Sequence, residues 1–162
     1  MADPAANEAL IDRFYAAFAA HDGDAMAACY TPDAVFEDPA FGELRDGEPQ
    51  AMWRMLTGRA QDLTVELVDR SAGASTGDAH WVADYTFSTG RKVHNDVRAR
   101  FTFAEDGLIA DHRDSFDLKV WAKQALGPTG AVLGFTPLLK PTVRRKARGG
   151  LEEFMAAPSS TA

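Results

Sequence analysis

His112 and Asp114 are the residues of this chain whose types and spacing point most directly to chemistry. Side chains two apart on a β-strand leave the same face of a sheet, roughly 7 Å from each other. An imidazole changes charge between about pH 5 and 8, and a carboxylate beside it can orient it or share its proton. The surrounding stretch, Arg98–Asp117 (R-A-R-F-T-F-A-E-D-G-L-I-A-D-H-R-D-S-F-D), reads as two strands joined at Asp106-Gly107, where both residue types tolerate positive φ. A two-residue turn pairs Phe103 with Ala110, Phe101 with His112, Ala99 with Asp114 and Val97 with Phe116. Paired residues share a face. His112 and Asp114 then interrupt an apolar wall of Val97, Ala99, Phe101, Phe103, Ala110 and Phe116, with Leu108 on the same side. A three-residue turn would reverse the parity.

A carboxylate in such a wall is costly unless paired or protonated. Two readings follow. His112 and Asp114 line a pocket and move a proton, or His112 is a buried histidine that satisfies a neighbouring aspartate. A direct bond along one strand is a long reach, so a water or substrate between them is expected. His94-x-Asp96 repeats the same spacing, and two such pairs could hold zinc or iron. Register puts the two pairs on opposite faces, so no metal is expected. His94, Asp96, Arg98, Arg100, Asp111 and Arg113 form a charged outer face, suited to solvent or to a second copy of the chain.

The rest of the chain has to position these groups. Its 162 residues suit one domain with a real core. A net charge of -7 argues against nucleic acid as a partner. No apolar run approaches the ~18 residues of a membrane span, and no charged-then-apolar leader opens the chain. The single Cys29 excludes an internal disulfide and suits a reducing, cytoplasmic setting. It reads as a small core residue beside Met26 and Tyr30. No phosphate loop or nicotinamide motif is present, so no cofactor is expected.

Asp3-Pro4 starts a helix whose Leu10, Ile11, Phe14, Tyr15 and Phe18 recur at helical spacing. A short helix spans Asp24–Tyr30, and Thr31-Pro32-Asp33 breaks it. A brief extended piece covers Ala34–Asp38. Asp46 is expected to cap a third helix carrying Met52, Trp53, Met55 and Leu56. The period then changes to two, in Leu63–Leu67, in Trp81–Phe87 and in the long strand Lys92–Ala104, with Ser71–Asp78 as a connection. Three helices followed by an antiparallel meander make an α+β protein, its helices on one face of one sheet. Val120, Trp121 and Leu126 predict a further helical turn or two, ended at Gly127-Pro128. A loop follows, then a basic helix over about Pro137–Ala157, interrupted by Pro141 and by Gly149-Gly150. Lys140, Arg144, Arg145, Lys146 and Arg148 make its charge run, read as a solvated face or as a contact for a phosphate or an acidic surface.

With its element order, its Tyr30-Thr31-Pro32-Asp33-Ala34-Val35-Phe36-Glu37-Asp38-Pro39 stretch and its Asp106-Gly107-Leu108-Ile109 turn, the chain resembles the NTF2-like superfamily. That group includes ketosteroid isomerase, limonene epoxide hydrolase and the SnoaL-type polyketide cyclases. The resemblance covers roughly Ala6–Asp117. It implies a cone-shaped fold with N-terminal helices packed on a curved, mostly antiparallel sheet around an apolar pocket, and pairing of two copies through the sheet. On this view residues 1–126 are the domain, and 127–162 are a loop and basic helical extension packed on or beside it.

Asp38 resembles the general base of ketosteroid isomerase, which works with a Tyr and a protonated Asp. The Tyr position falls on Phe14, which lacks a hydroxyl, and the protonated Asp falls on Ala99. Asp114, the cross-strand partner of Ala99, could fill that space, whereas Tyr15 is ~100° around the helix and points elsewhere. Alternatively, Asp38 caps the turn before Pro39. The expected catalytic set is Asp38, His112 and Asp114, with Phe14, Tyr15, Phe18, Trp53, Ala99, Phe101 and Phe116 lining the substrate space. Tyr15 and Trp53 read more readily as core than as site residues, and Phe18 joins the lining set. Three functions remain open. One is a cofactor-independent isomerase, cyclase or hydrolase of a small apolar carbonyl, enol or epoxide compound. The second is a non-catalytic binder of a small apolar molecule, and the third an interaction module using the outer sheet face.

Overall fold

The computed structural model describes residues 3–157; the last five residues of the small-residue tail, 158–162, lie outside that range. In chain order the elements are α1 (Pro4–Ala19), α2 (Gly23–Ala27), β1 (Tyr30–Asp38), β2 (Gly42–Leu44), α3 (Glu48–Arg59), β3 (Thr64–Ala72), β4 (Thr76–Thr86), β5 (Lys92–Phe103), β6 (Ile109–Ser115), α4 (Leu118–Leu126), α5 (Pro128–Leu133) and α6 (Leu139–Ala156). The strands form one sheet in the order β2-β1-β6-β5-β4-β3. Every pairing is antiparallel except β1 with β6, which is parallel. The α+β architecture expected from the period change, and the NTF2-like fold expected from the resemblance, are the observed ones. Among the described residues no helix is long and apolar enough to cross a membrane.

Local chemistry explains most boundaries. Asp3 caps α1 by accepting from the Ala5 N–H, with Pro4 in the first turn. Asp22 does the same for α2 through the Ala25 N–H. Asp46 does not cap α3: the cap is Gly47 at φ 82, and the Glu48 carboxylate instead accepts from the Arg45 N–H. The second helix stops at Ala27, so Tyr30 belongs to β1 rather than to a helix. Helix α6 runs unbroken through Gly149-Gly150, and Pro141 does not interrupt it because it sits in the first turn, where a missing N–H breaks no internal bond. The segment expected as loop after Gly127 contains α5, and the piece after Pro39 contains β2.

The main core lies between α1, α3 and the concave face of the sheet. Ile11, Phe14, Phe36, Met52 and Phe101 are fully buried there. A second cluster of Trp121, Ala122, Ala125, Leu139 and Val143 packs α4 and α6 against Val93 of β5. Helices α2 and α3 meet closely at Gly23. A Cβ there would lie 2.5 Å from the Thr57 hydroxyl and 2.7 Å from the Arg54 Cα. Helix propensity favours Ala over Gly by at most about 1 kcal/mol, and a clash against backbone outweighs it. Gly23→Ala is expected to destabilise the protein by about 1–3 kcal/mol, read as a lower urea midpoint at unchanged m-value.

The β5–β6 hairpin departs from the simple register in two places. Its loop has three residues: the Gly107 N–H donates to the Ala104 carbonyl, and the Ala104 N–H to the Leu108 carbonyl. Gly107, at φ 83, supplies the left-handed residue this loop needs. Phe103 consequently pairs with Ile109, not Ala110. One residue later Ala110 bulges out, Thr102 pairs with Asp111, and the original parity returns. Phe101 with His112 and Ala99 with Asp114 are therefore paired as the spacing predicts. Ile109 takes the core place assigned to Ala110, and Leu108 and Ala110 are only half-buried. Strand β6 ends at Ser115, so Phe116 lies past the ladder and does not pair with Val97.

Candidate active site

Three adjacent strands build the site. Strand β1 carries Tyr30 and Asp38, β6 carries His112 and Asp114, and β5 carries Ala99 and Phe101. Phe36 is the β1 partner of His112, so one further step of two brings Asp38 level with Asp114. Continuing across the sheet, Ala99 pairs with Asp114, and Ala79 pairs with Ala99. The row across the concave face thus reads Asp38, Asp114, Ala99, Ala79. Two carboxylates stand side by side, followed by two small residues.

Behind this row lies a hydrogen-bonded chain. The Trp53 indole N–H donates to the Tyr30 hydroxyl at 2.8 Å. That hydroxyl is 2.7 Å from His112 Nδ1, and His112 Nε2 is 2.8 Å from Asp114 Oδ1. Donor chemistry orders the protons. Indole nitrogen only donates, so the Tyr30 oxygen accepts from it and gives its own proton to Nδ1. The remaining ring proton then sits on Nε2 and points at Asp114. This one neutral tautomer satisfies every group; a second ring proton would leave the tyrosine proton without an acceptor. His112 and Asp114 are thus bonded directly, and no water or substrate separates them. Rotation of both side chains closes the gap that their Cβ spacing leaves.

His112 is 0% exposed. The rings of Phe14, Phe36, Phe101 and Trp53 surround it with centroids 4.4–6.2 Å away. Phe14 therefore touches the imidazole from the position where the resemblance puts a tyrosine. Tyr15 is also buried, at 2% exposed, as its place in the apolar helical set predicts. Its ring packs on Phe14, Phe101 and Trp81. Burial, with the charge of Asp114 and then Tyr30 adding to it, holds its phenol well above the usual range. The hydroxyl of Tyr15 and the indole N–H of Trp81 are buried and have no hydrogen-bond partner among the described residues.

Asp38 takes the expected place in the turn around Pro39. Its Oδ1 accepts from the Phe41 N–H at 2.6 Å, which closes the turn after Pro39. Burial also pushes its carboxyl up to about 7, against the Phe41 and Ala40 amides and Arg144, which favour the charged form, and with Asp114 disfavouring it. Phe18 and Trp53 are buried and face each other at 5.0 Å. Phe116 is partly buried where the two clusters meet. Burial raises the Cys29 thiol, and its side chain lies in the core.

Spacing alone overlooked Tyr30. Ala34, Phe36 and Asp38 alternate on one face, but the ladder with β6 shifts register between Tyr30 and Val35, and Pro32 is exposed, so alternation does not carry back to Tyr30. Arg144 was overlooked too, because nothing local in a basic helix tells which of its cations turns inward. On the convex face His94 is exposed and bonded to Asp84 at 2.7 Å, while His80 meets Asp96 at 2.8 Å and Arg113 meets Asp111 and Glu37. The two His-x-Asp pairs therefore do lie on opposite faces. Exposed pairs of this kind contribute about 0–1 kcal/mol each.

Comparison with known proteins follows the same lines. The profile of the SnoaL-like domain matches residues 11–112. No curated protein matches the chain in sequence. Solved structures do. An LEH-like epoxide hydrolase from M. tuberculosis superposes with a TM-score of 0.64 at 23% identity, over 80% of this chain and 95% of that one. The epoxide hydrolase/cyclase-like enzyme SalBIII, of pyran ring formation in salinomycin, gives 0.61 at 18%, over 68% and 90%. The BvnE pinacolase of Penicillium brevicompactum gives 0.60 at 18%, over 69% and 83%. At these identities the superpositions establish the fold and not the reaction. The profile match over more than half of its residues places the chain in the SnoaL-like family of the NTF2-like superfamily.

Proposed function

We propose that the protein is a cofactor-independent enzyme that acts on a small apolar carbonyl, enol or epoxide compound by general acid/base catalysis. The observation that carries this reading is the neighbouring pair Asp38 and Asp114, with Asp38 titrating at about 7. A carboxyl poised there is partly ionised and partly protonated at neutral pH, the condition under which one group both takes and returns a proton. Asp38 is the base. Asp114 faces the same space and raises the acidity threshold of its neighbour. His112, sealed behind Asp114, acts through it as a positioning residue, and Tyr30 and Trp53 hold its tautomer. Tyr15 and Trp81, with free donors beside the alanine row, orient the substrate's oxygen. The epoxide hydrolase-like, cyclase-like and pinacolase folds that superpose on this chain support the same class.

The test is a turnover screen of enolisable cyclic ketones and cyclic epoxides, followed by pH–rate profiles of the wild type, Asp114→Asn and His112→Phe. Removing the negative charge of Asp114 lets Asp38 ionise more easily. The acidic limb of kcat/KM is expected to move to lower pH in Asp114→Asn. An unmoved limb would show that Asp38 and Asp114 do not share the reaction.

A second reading is favoured by the dense aromatic lining of His112 and by the same free donors. In it the protein binds a small hydrophobic molecule without transforming it, and polar groups fix the ligand's orientation. Binding without turnover across the screen, sensitive to Tyr15→Phe, is the result that would select it.

A further inference from the structure

The cations of α6 divide by what they touch. Arg148 belongs to the fold: it donates to the carbonyls of Phe41 at 3.3 Å and Glu43 at 3.0 Å, and its other nitrogen meets Glu48 at 3.4 Å. Lys140, Arg145 and Lys146 are exposed. Arg144 fits neither description. It is partly buried, its Nε is sealed from solvent without an acceptor, and it forms no ion pair among the described residues. Its side chain lies across Gly42, where an added Cβ would come 3.3 Å from Nε and 3.4 Å from Cζ. Gly42 is the β2 partner of Asp38. The guanidinium therefore stands over the position from which Asp38 emerges, and its charge is felt there.

A guanidinium stays charged at any physiological pH, and desolvating one of its N–H groups without an acceptor returns nothing. Asp38 is a weak counter-ion, since near neutral pH it carries only part of a charge. The neighbouring carboxylate, Asp114, is already engaged by His112. No described residue supplies the missing partner, which leaves the group open to a ligand. We propose that Arg144 is the recognition residue for a carboxylate carried by an otherwise apolar substrate, seated beside Asp38. The location of that substrate rests on the acid/base reading above. A planar fork matches a carboxylate with two parallel bonds. A single cation beside Asp38 suits a monoanion better than a doubly charged phosphate.

The experiment uses octanoate and 4-phenylbutyrate, each paired with its uncharged primary amide. Binding to the full chain is measured by calorimetry in the wild type, Arg144→Gln, Arg144→Lys and Arg145→Gln, with thermal melts to confirm folding. The acids are expected to bind at least about tenfold tighter than their amides in the wild type. That preference falls to about one- to twofold in Arg144→Gln, returns in part in Arg144→Lys and is unchanged in Arg145→Gln. Equal binding of acid and amide in the wild type, or binding of neither, overturns the assignment without any variant. So does a preference that survives Arg144→Gln or is lost equally in Arg145→Gln, the latter meaning a diffuse basic field. The two proposals fail separately. Turnover lost in Asp38→Asn with no acid preference removes only Arg144, and an acid preference in a protein with no turnover removes only the catalysis.

Discussion

Asp38→Asn is expected to lower turnover by about 10²–10⁴-fold, the usual contribution of a positioned general base, and at the same time to stabilise the fold in mildly alkaline buffer. The second half follows from linkage. The native carboxyl holds its proton up to about 7, against a model value of 3.8 for an unperturbed aspartate. Between these limits the native state binds more protons than the unfolded chain. The stabilisation is complete below about pH 4 and is lost as pH rises through 7. For a shift of this size the loss has a ceiling of about 4 kcal/mol, and is less to the extent that solvent reaches the group. Asparagine carries no charge to desolvate, and its carbonyl can still accept from the Phe41 N–H. Urea melts of both proteins at pH 5 and pH 8 read the effect, because titrating groups not coupled to Asp38 cancel in the difference. The variant should gain on the wild type by a few kcal/mol between the two. A difference that stays constant would mean that Asp38 is an ordinary surface carboxylate.

Tyr30→Phe is expected to cost about 2–6 kcal/mol. The hydroxyl bridges Trp53 and His112 by hydrogen bonds, and its removal strands two buried groups at about 1–3 kcal/mol each. In a protein of this size that is a fall in Tm of roughly 5–15 °C. The double variant Tyr30→Phe with Trp53→Phe removes one of the stranded donors along with its acceptor. It should lose less than the sum of the two single changes. Strict additivity would mean that the indole and the phenol are not bonded.

The hairpin shows why some of this was legible and some was not. A two-residue turn was the wrong loop, yet His112 and Asp114 face the core as that turn required. The three-residue loop and the bulge at Ala110 each shift the parity by one, and two such shifts cancel. Alternation along β6 carried the functional face, because burial of Phe101 and Ile109 selects one register whatever the turn does. Alternation could not locate the shifts, which depend on backbone geometry that Asp106-Gly107 allows in more than one form. Tyr30 was missed for a related reason: Pro32 ends helices and also sits at irregular points of edge-adjacent strands, and only the parallel partner strand decides between them. Direct bonding of His112 to Asp114 depended on rotamers, which spacing does not encode. Arg144 depended on how α6 docks, and a run of five cations carries no mark of that.

The parallel pairing of β1 with β6 sets when the active site can exist. Tyr30 and His112 are 82 residues apart in the chain, and nearly the whole meander must be in place before they meet. Contacts this distant are slow to close, because chain entropy is lost before any bond rewards it. The β5–β6 hairpin and the meander can zip from neighbour to neighbour, whereas β1 with its small β2 flap docks last. Until it does, Asp114 has no Asp38 beside it and the imidazole lacks its phenol. Assembly of the proposed site is thus expected late in folding, and a slow refolding phase should be the one during which Tyr30 meets His112.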